Sequence, residues 1–286
     1  MAKFSLIVAT VGRTDEFAGL LRSLAGQIMR DFELIVIDQN SDDRVRVLLE
    51  GWAARVNVGQ HERGGVIGIQ HLRSKPGLSG ARNLGIANSC GEIVAFPDDD
   101  CWYYPETLLN IDKWFREHAD YGILSVGSRD SHGDVSGNRW SNPDCDLTTL
   151  NVFRASATYC YFVRRPADAS LMQFDETLGP GAGTNYGAGE DTDLLLTLMS
   201  RGIRGRFNST MYVGHPSKVY ADMQRAERYG GGWGRVLAKH SLVHLFPGFV
   251  TLDIVRAALY MFLGEYDRAS RLYAHGRGIT RAYFSR

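Results

Sequence analysis

Three consecutive aspartates, Asp98, Asp99 and Asp100, follow an apolar run, Ile93 to Phe96, in the stretch "GEIVAFPDDDCWYYP". Like charges this close repel, and nothing in the stretch itself offsets them, so a cation is expected among them. Oxygen-only ligands suit Mg²⁺ or Mn²⁺, hard ions that keep several waters and meet phosphates through one or two carboxylates. A solvated acidic turn is the plain alternative. A second acidic set, Glu190, Asp191 and Asp193, lies in "GAGEDTDLLL", behind Gly187 and Gly189 and where a helix should begin. An acid at a helix N-terminus complements the macrodipole, which accounts for one carboxylate. Three of them under a glycine-rich loop leave room for one to act as a general base on a hydroxyl. "GLSGARN", with Arg82, reads as a small-residue turn whose amides could face phosphate. It has neither G-x-G-x-x-G nor a Walker lysine, and helix–sheet packing explains its glycines equally well. "YVGHP" sets His215 just after an expected strand, Thr210–Val213, as either a structural side chain or a ligand.

The elements that must hold these residues alternate. "FSLIVAT" (Phe4–Thr10) is a continuous apolar run rich in β-formers, as a buried parallel strand requires, and "FELIVIDQNS" reads as a second buried strand ending in Asp38. Between them "RTDEFAGLLRSLAGQ" opens on Thr14 and Asp15 as candidate caps and puts Phe17, Leu20, Leu21 and Leu24 on one helical face. A second amphipathic helix, "DDRVRVLLEGWAARV", a short strand around Val66–Leu72, a helix after the glycine-rich turn and the strand at Ile93 complete a strand–helix alternation. This is the pattern of a doubly wound α/β sheet, whose ligands bind beyond the carboxyl ends of the strands. Thr10, Asp38 and Asp98–Asp100 all fall at such ends. In the second half, "NVFRASATYCYFVRR" (Asn151–Arg165) has strand character and a helix should run from about Glu190 to Gly202. Amphipathic helices follow Ser241.

The 286 residues carry 44% apolar and 22% charged side chains, with 32 basic and 32 acidic ones. That balance gives no electrostatic case for nucleic acid. Cys90, Cys101, Cys145 and Cys160 form neither a C-x-x-C pair nor a zinc-ribbon spacing and read as reduced thiols. "MAKFSLIVATVGR" is too short for a signal peptide, and no segment supplies the about eighteen apolar residues of a spanning helix. A cytoplasmic protein that can touch a membrane surface is expected.

In order, "SLIVATVGR", "FELIVIDQNSDD", "GLSGARNLGIANSCGEIVAFPDDD" followed by "YYP", and "GEDTDLLLTLMSRG" resemble the consecutive motifs of the family 2 glycosyltransferases of GT-A fold, from about Lys3 to His215. The resemblance implies an enzyme of hexosyltransferase type that moves a sugar, with inversion, from a nucleoside-diphosphate sugar to an acceptor hydroxyl. UDP is the family default. It implies that Thr10, Val11, Arg13, Asp38, Asn40, Ser79, Arg82, Asp98 and Asp99 serve the nucleotide sugar. Asp100, with Asp98 and His215, would hold Mn²⁺ or Mg²⁺, and Asp191, with Glu190 beside it, would be the base. A catalytic domain over residues 1–240 is expected, its nucleotide half about 1–105 and its acceptor half about 106–240, with a helical extension over 241–286. Cys101 stands where relatives often carry another acid and reads as a packing residue rather than a ligand to a hard ion. Polymerising relatives carry Q-x-x-R-W; "QRAERYGGGWG" (Gln224–Gly234) is an imperfect echo of it, which favours transfer of a single sugar.

The acceptor implied is a glycan or a lipid-linked glycan of bacterial cell-surface synthesis. From Ile254 to Arg286 six arginines face only Glu265 and Asp267 among aromatics and aliphatics. Such a segment can lie on the anionic cytoplasmic leaflet, or pack on the catalytic domain or a second subunit. Two other readings stand beside the transferase: a nucleotidyltransferase, whose usual glycine-rich loop after the first strand is missing from "ATVGRTDEF", and an inactive scaffold of a polysaccharide assembly complex.

Overall fold

The computed structural model describes residues 2–60, 68–137, 143–217 and 222–285. In chain order the elements are β1 (Phe4–Thr10), α1 (Asp15–Ala25), β2 (Phe32–Asp38), α2 (Arg44–Gln60), β3 (Gly68–Arg73), α3 (Leu78–Ala87) and β4 (Ile93–Ala95). Then come α4 (Thr107–Glu117), β5 (Ile123–Arg129), β6 (Cys145–Asp146), α5 (Val152–Ala155), β7 (Tyr161–Arg164), α6 (Glu190–Ser200), β8 (Gly205–Gly214), α7 (Met223–Lys239), α8 (Phe246–Phe262) and α9 (Tyr266–Phe284). The chain forms two compact units, one of Met1–Pro76, Ala81–Gln173 and Thr197–Lys218, the other of Gly77–Gly80, Phe174–Leu196 and Val219–Arg286.

The first unit is a mixed α/β layer around one sheet, ordered β3-β2-β1-β4-β7-β5-β8-β6. β1 pairs in parallel with β2 and β4, and β2 with β3. β7 is antiparallel to both β4 and β5, and β8 is parallel to β5. β1, β2, β4 and β8 therefore point the same way and end at one edge. β1, β2 and β4 are largely apolar because both faces are covered: β2 is buried at every position, and its Glu33 accepts from Ser5 of β1 at 2.6 Å. On one side α1 buries Phe17, Leu20, Leu21 and Leu24, the face that the i, i+3, i+4, i+7 spacing predicts. The Trp52 indole N–H of α2 donates to the Leu21 carbonyl at 2.9 Å and ties α2 to α1. Thr14 precedes α1 without a side-chain capping bond.

Two local expectations change. Residues 151–165 are not one strand: α5 and a 3₁₀ turn at Thr158–Cys160 come first, and only Tyr161–Arg164 is extended. The Asn151 carboxamide accepts from Thr148 N at 2.7 Å and donates to Asp146 O at 2.9 Å, a local turn that competes with strand pairing. β7 needs only to span the three residues of β4. "GLSGARN" is not a turn ahead of a helix but the first turns of α3 itself, which starts at Leu78. Further along α3, a Cβ at Gly85 would stand 2.2 Å from Ile7 Cγ2, so that glycine serves helix–sheet packing. The strand expected around Val66–Leu72 begins at Gly68; Val66 lies outside the described residues.

In the second unit, "QRAERYGGGWG" lies within α7, and its glycines are a packing face. A Cβ at Gly230 would stand 2.0 Å from His275 O, and one at Gly234 2.3 Å from Ile279 O, so the backbones of α7 and α9 touch. The Trp233 ring meets Phe249 and His275 edge-on at 5.3 Å each. Asp253 of α8 accepts from His275 of α9 at 2.6 Å. The segment 241–286 thus shares one compact unit with α7 and with Phe174–Leu196. Among the described residues no helix is long and apolar enough to cross a membrane.

Candidate active site

Strand register sets the first group of candidates. Thr10 pairs with Asp38, and Asp38 with Arg73, so all three share the last rung of β1, β2 and β3. Asp38 is fully buried and accepts from Asn40 N and Nδ2 at 2.9 and 2.8 Å, with His71 Nε2 at 3.0 Å and Arg73 Nε at 3.9 Å. Asn40 also accepts from the Gly12 amide at 2.7 Å. Gly12 has φ +73°, a turn that a β-carbon disfavours, and it carries the chain from Thr10 past the exposed Val11 to Arg13.

The acidic triplet follows β4 at the same edge, with Asp98 on one arginine and Asp99 and Asp100 sharing another. Asp98 accepts from Arg82 Nη2 at 3.1 Å. Asp99 is buried and accepts from Thr10 Oγ1 at 2.8 Å and Arg13 Nη1 at 2.7 Å. Burial pushes the Asp99 carboxyl up, against the Thr10 hydroxyl and the Arg13 guanidinium. Asp100 Oδ2 accepts from the same Arg13 nitrogen at 2.7 Å. The expectation that the stretch lacks a counter-charge is thereby corrected: Arg13 and Arg82 supply two guanidiniums to three carboxylates, from sequence positions 85 and 16 residues away from Asp98.

Asp100 Oδ1 is left over. It is buried and has no hydrogen-bond partner among the described residues. His215 Nε2 lies 3.6 Å from it. His215 Nδ1 lies 2.6 Å from the Pro216 carbonyl, which can only accept, so Nδ1 carries a proton and Nε2 is the ring nitrogen turned toward Asp100. A buried carboxylate oxygen without a hydrogen-bond partner and an imidazole nitrogen beside it are ligand atoms that a small cation would take. Single ligand atoms of Asp100, Cys101 and His215 lie within 4.8 Å of one another; Asp98 is not in that grouping. Burial, with the Asp98 and Asp100 carboxylates, pushes the Cys101 thiol up, and a soft sulfur is a poor match for a hard ion. The donor set that fits Mg²⁺ or Mn²⁺ is therefore Asp100 with His215.

A long-range latch makes that pair, and the sequence reading had missed it. Trp102 and Gly214 bridge antiparallel, with N–H to O distances of 3.0 and 2.8 Å, which brings the end of β8 to the triplet. Tyr159 stacks on the His215 ring, centroids 4.1 Å apart at 15°. A Cβ at Gly214 would stand 2.0 Å from the Trp102 indole. Gly214→Ala is expected to cost about 1–3 kcal/mol, as overpacking does. Urea unfolding measures this, and an unchanged midpoint would mean that Trp102 swings aside freely.

In the second unit, Glu190, Asp191 and Asp193 form the first turn of α6. Asp193 is a structural acid: it takes Lys239 Nζ at 2.8 Å and His240 Nε2 at 2.7 Å in a buried site. Lys239 also pairs with Asp175 at 2.8 Å. Burial would raise the Asp175 carboxyl, but Lys239 and Thr177 outweigh it and hold it down to about 2. Glu190 is buried behind Gly179, where a Cβ would stand 2.9 Å from its carboxyl carbon. Asp191 is partly exposed and accepts from Thr192 N at 2.7 Å. Ser79 donates its hydroxyl to Leu178 O at 2.7 Å. Lys239 and His240 carried no local signal, since they meet Asp193 from 46 and 47 residues away.

Comparison with known proteins gives three points of likeness. Poly(ribitol-phosphate) β-N-acetylglucosaminyltransferase TarS of Staphylococcus aureus is 31% identical over 168 residues, 56% of this chain and 28% of that protein. Its 1–349 portion in complex with UDP-GlcNAc superposes with a TM-score of 0.57 at 17% identity, over 97% of this chain and 90% of that one. GalNAc(5)-diNAcBac-PP-undecaprenol β-1,3-glucosyltransferase of Campylobacter jejuni is 30% identical over 100 residues, 35% of this chain and 30% of that protein. The mannosyltransferase of Pyrobaculum calidifontis in complex with GDP-Man and Mn²⁺ has the same fold, with a TM-score of 0.65 at 15% identity over 98% and 87% of the two chains. This chain spans less than a third of the length of either bacterial relative. Residues 5–169 match the profile described as Glycosyl transferase family 2. That match takes in β1 to β7 and every candidate up to Asp100, and covers more than half of the sequence: the chain belongs to glycosyl transferase family 2.

Proposed function

We propose that this protein transfers one sugar from a nucleoside-diphosphate sugar, UDP-linked in the first instance, to an acceptor hydroxyl with inversion, and that it needs Mn²⁺ or Mg²⁺. The observation that carries the proposal is the buried Asp100 oxygen, without a hydrogen-bond partner among the described residues, 3.6 Å from His215 Nε2 at the sheet's carboxyl edge. A divalent ion there would offset the charge that builds on the departing nucleoside diphosphate. Asp38 and Asn40, fixed by the rung they share with Thr10, would meet polar edges of the nucleoside. Arg82 holds Asp98 and Arg13 holds Asp99 and Asp100 together, and Val11 would close over the nucleotide.

Asp191 would take the proton from the acceptor hydroxyl. Of the three acids at the start of α6 it is the partly exposed one, while Asp193 is committed to Lys239 and His240. Glu190, held behind Gly179, would keep that first turn in place. A single displacement needs only one such base, since the leaving diphosphate requires no acid. The sugar would pass through an oxocarbenium-like state, as in glycoside hydrolysis.

The relatives' names give a poly(ribitol phosphate) and an undecaprenol-linked diphosphate glycan as their acceptors. For this chain the matching proposal is a bacterial cell-surface glycan or its lipid-linked precursor, reached from the cytoplasmic face of the membrane by peripheral contact. Anomeric stereochemistry tests the reaction. With UDP-GlcNAc, whose sugar is α-linked, and a panel of other nucleotide sugars, proton NMR of the first-formed product should show a β linkage. An α linkage would overturn the single displacement and with it the role of Asp191.

A further inference from the structure

No step above uses the groove between α7, α8 and α9. Its volume is about 560 Å³, within the range of small-molecule sites. Met223 of α7, Ile254, Ala258 and Met261 of α8, and Tyr273 of α9 line it. Met223, Ile254, Met261 and Tyr273 stay 52–60% exposed, an unusual amount of apolar surface to leave around a hollow. Methionines at such a place adapt to irregular apolar ligands. Arg277 and Glu227 also line the groove, paired at 2.5 Å. Arg281, a turn further on, reaches the same carboxylate at 4.0 Å. Within the lining Arg277 and Glu227 balance, and Arg281, just outside it, brings a second guanidinium to the same acid.

An apolar slot with a guanidinium in its own wall matches a ligand whose anion is attached directly to hydrocarbon. A glycerolipid fits less well, because glyceryl esters separate its phosphate from its chains. The neighbouring face of α8 exposes Leu252, Val255, Leu259 and Phe262, with no charged side chain among them, and offers such a chain a route from a lipid layer. We infer that the groove binds the prenyl chain of a prenyl phosphate, with Arg277 and Arg281 at the phosphate. The inference rests on the proposed reaction in one respect: the prenyl phosphate would carry the acceptor glycan.

Titration calorimetry on the full chain, without donor or divalent ion, tests it with farnesyl phosphate as the probe and farnesol, inorganic phosphate and lysophosphatidic acid as comparisons. Saturable binding of farnesyl phosphate is expected. Ala258→Trp, at an exposed position, fills the groove and should weaken that binding about tenfold, as the loss of a few buried methylenes would. Met261→Glu, also at an exposed position, should do the same. Arg277→Gln combined with Arg281→Gln should weaken farnesyl phosphate about tenfold and leave farnesol unchanged. Unchanged affinity in both groove variants would overturn the inference. So would inorganic phosphate or lysophosphatidic acid binding as tightly as farnesyl phosphate. Because no turnover is read, a chain that binds the probe yet releases no nucleoside diphosphate keeps the groove and loses the transferase reading.

Discussion

Asp191→Asn is expected to lower sugar transfer by about 10²–10⁴-fold, the range that a positioned general base contributes. The amide keeps the size of the side chain and can still accept from the Thr192 amide, as Asp191 does at 2.7 Å, so the first turn of α6 should persist. Donor binding, by contrast, should hardly change, because the proposed nucleotide contacts come from Asp38, Asn40 and the residues around the triplet. The diagnostic result is a fall in kcat with a nearly unchanged dissociation constant for the nucleotide sugar. Near-normal turnover would remove Asp191 from the chemistry. A parallel loss of donor affinity would make it a binding residue instead.

Asp100→Asn should cost at least about a hundredfold in kcat, by the standard of other preorganised charge stabilisers. The amide oxygen is a weaker donor to a hard ion than a carboxylate, and the change leaves Arg13 with only Asp99 as a charged partner of the two it now holds. Mn²⁺ affinity, read by electron paramagnetic resonance, should fall together with kcat, and added Mn²⁺ should restore part of the rate. If the rate fell while Mn²⁺ affinity stayed the same, the Asp100–His215 pair would be a structural contact rather than a cation site.

How far these residues could be read from sequence depended on how local their partners are. β1 and β2 were legible to the residue, because a strand covered on both faces must be largely apolar, and Thr10 and Asp38 close those two runs. The buried face of α1 was legible for the same kind of reason. The region 151–165 was not: its β-formers are shared between a turn set by Asn151 and a four-residue strand, and the length of that strand is set by β4, far away in sequence. The triplet was legible as an acidic cluster at a strand end but not as electrostatics. Its counter-charges, Arg13 and Arg82, come from other elements, and only strand order brings them together. The Trp102–Gly214 latch and the Tyr159 ring against His215 belong to the same class. His71 and Arg73 gave a usable signal, since they close a strand next to Asp38, and register alone would have placed them.

The second half of the chain shows the converse. "QRAERYGGGWG" has the look of a motif, yet Gly230 and Gly234 are spent on the contact between α7 and α9, and Gly231 and Gly232 on the backbone at Asn185 and Ala188. The acids of α6 divide in a way that periodicity could not foresee, because Lys239 and His240 claim Asp193 from the end of α7.

Release of nucleoside diphosphate from UDP-GlcNAc and a panel of other nucleotide sugars, measured in Mn²⁺ and again in EDTA, tests the central claim most directly. The account predicts release with at least one donor in Mn²⁺ and a fall of at least about a hundredfold on chelation. Equal release in EDTA would contradict the cation at Asp100 and His215, and no release from any donor in Mn²⁺ would contradict the transferase itself.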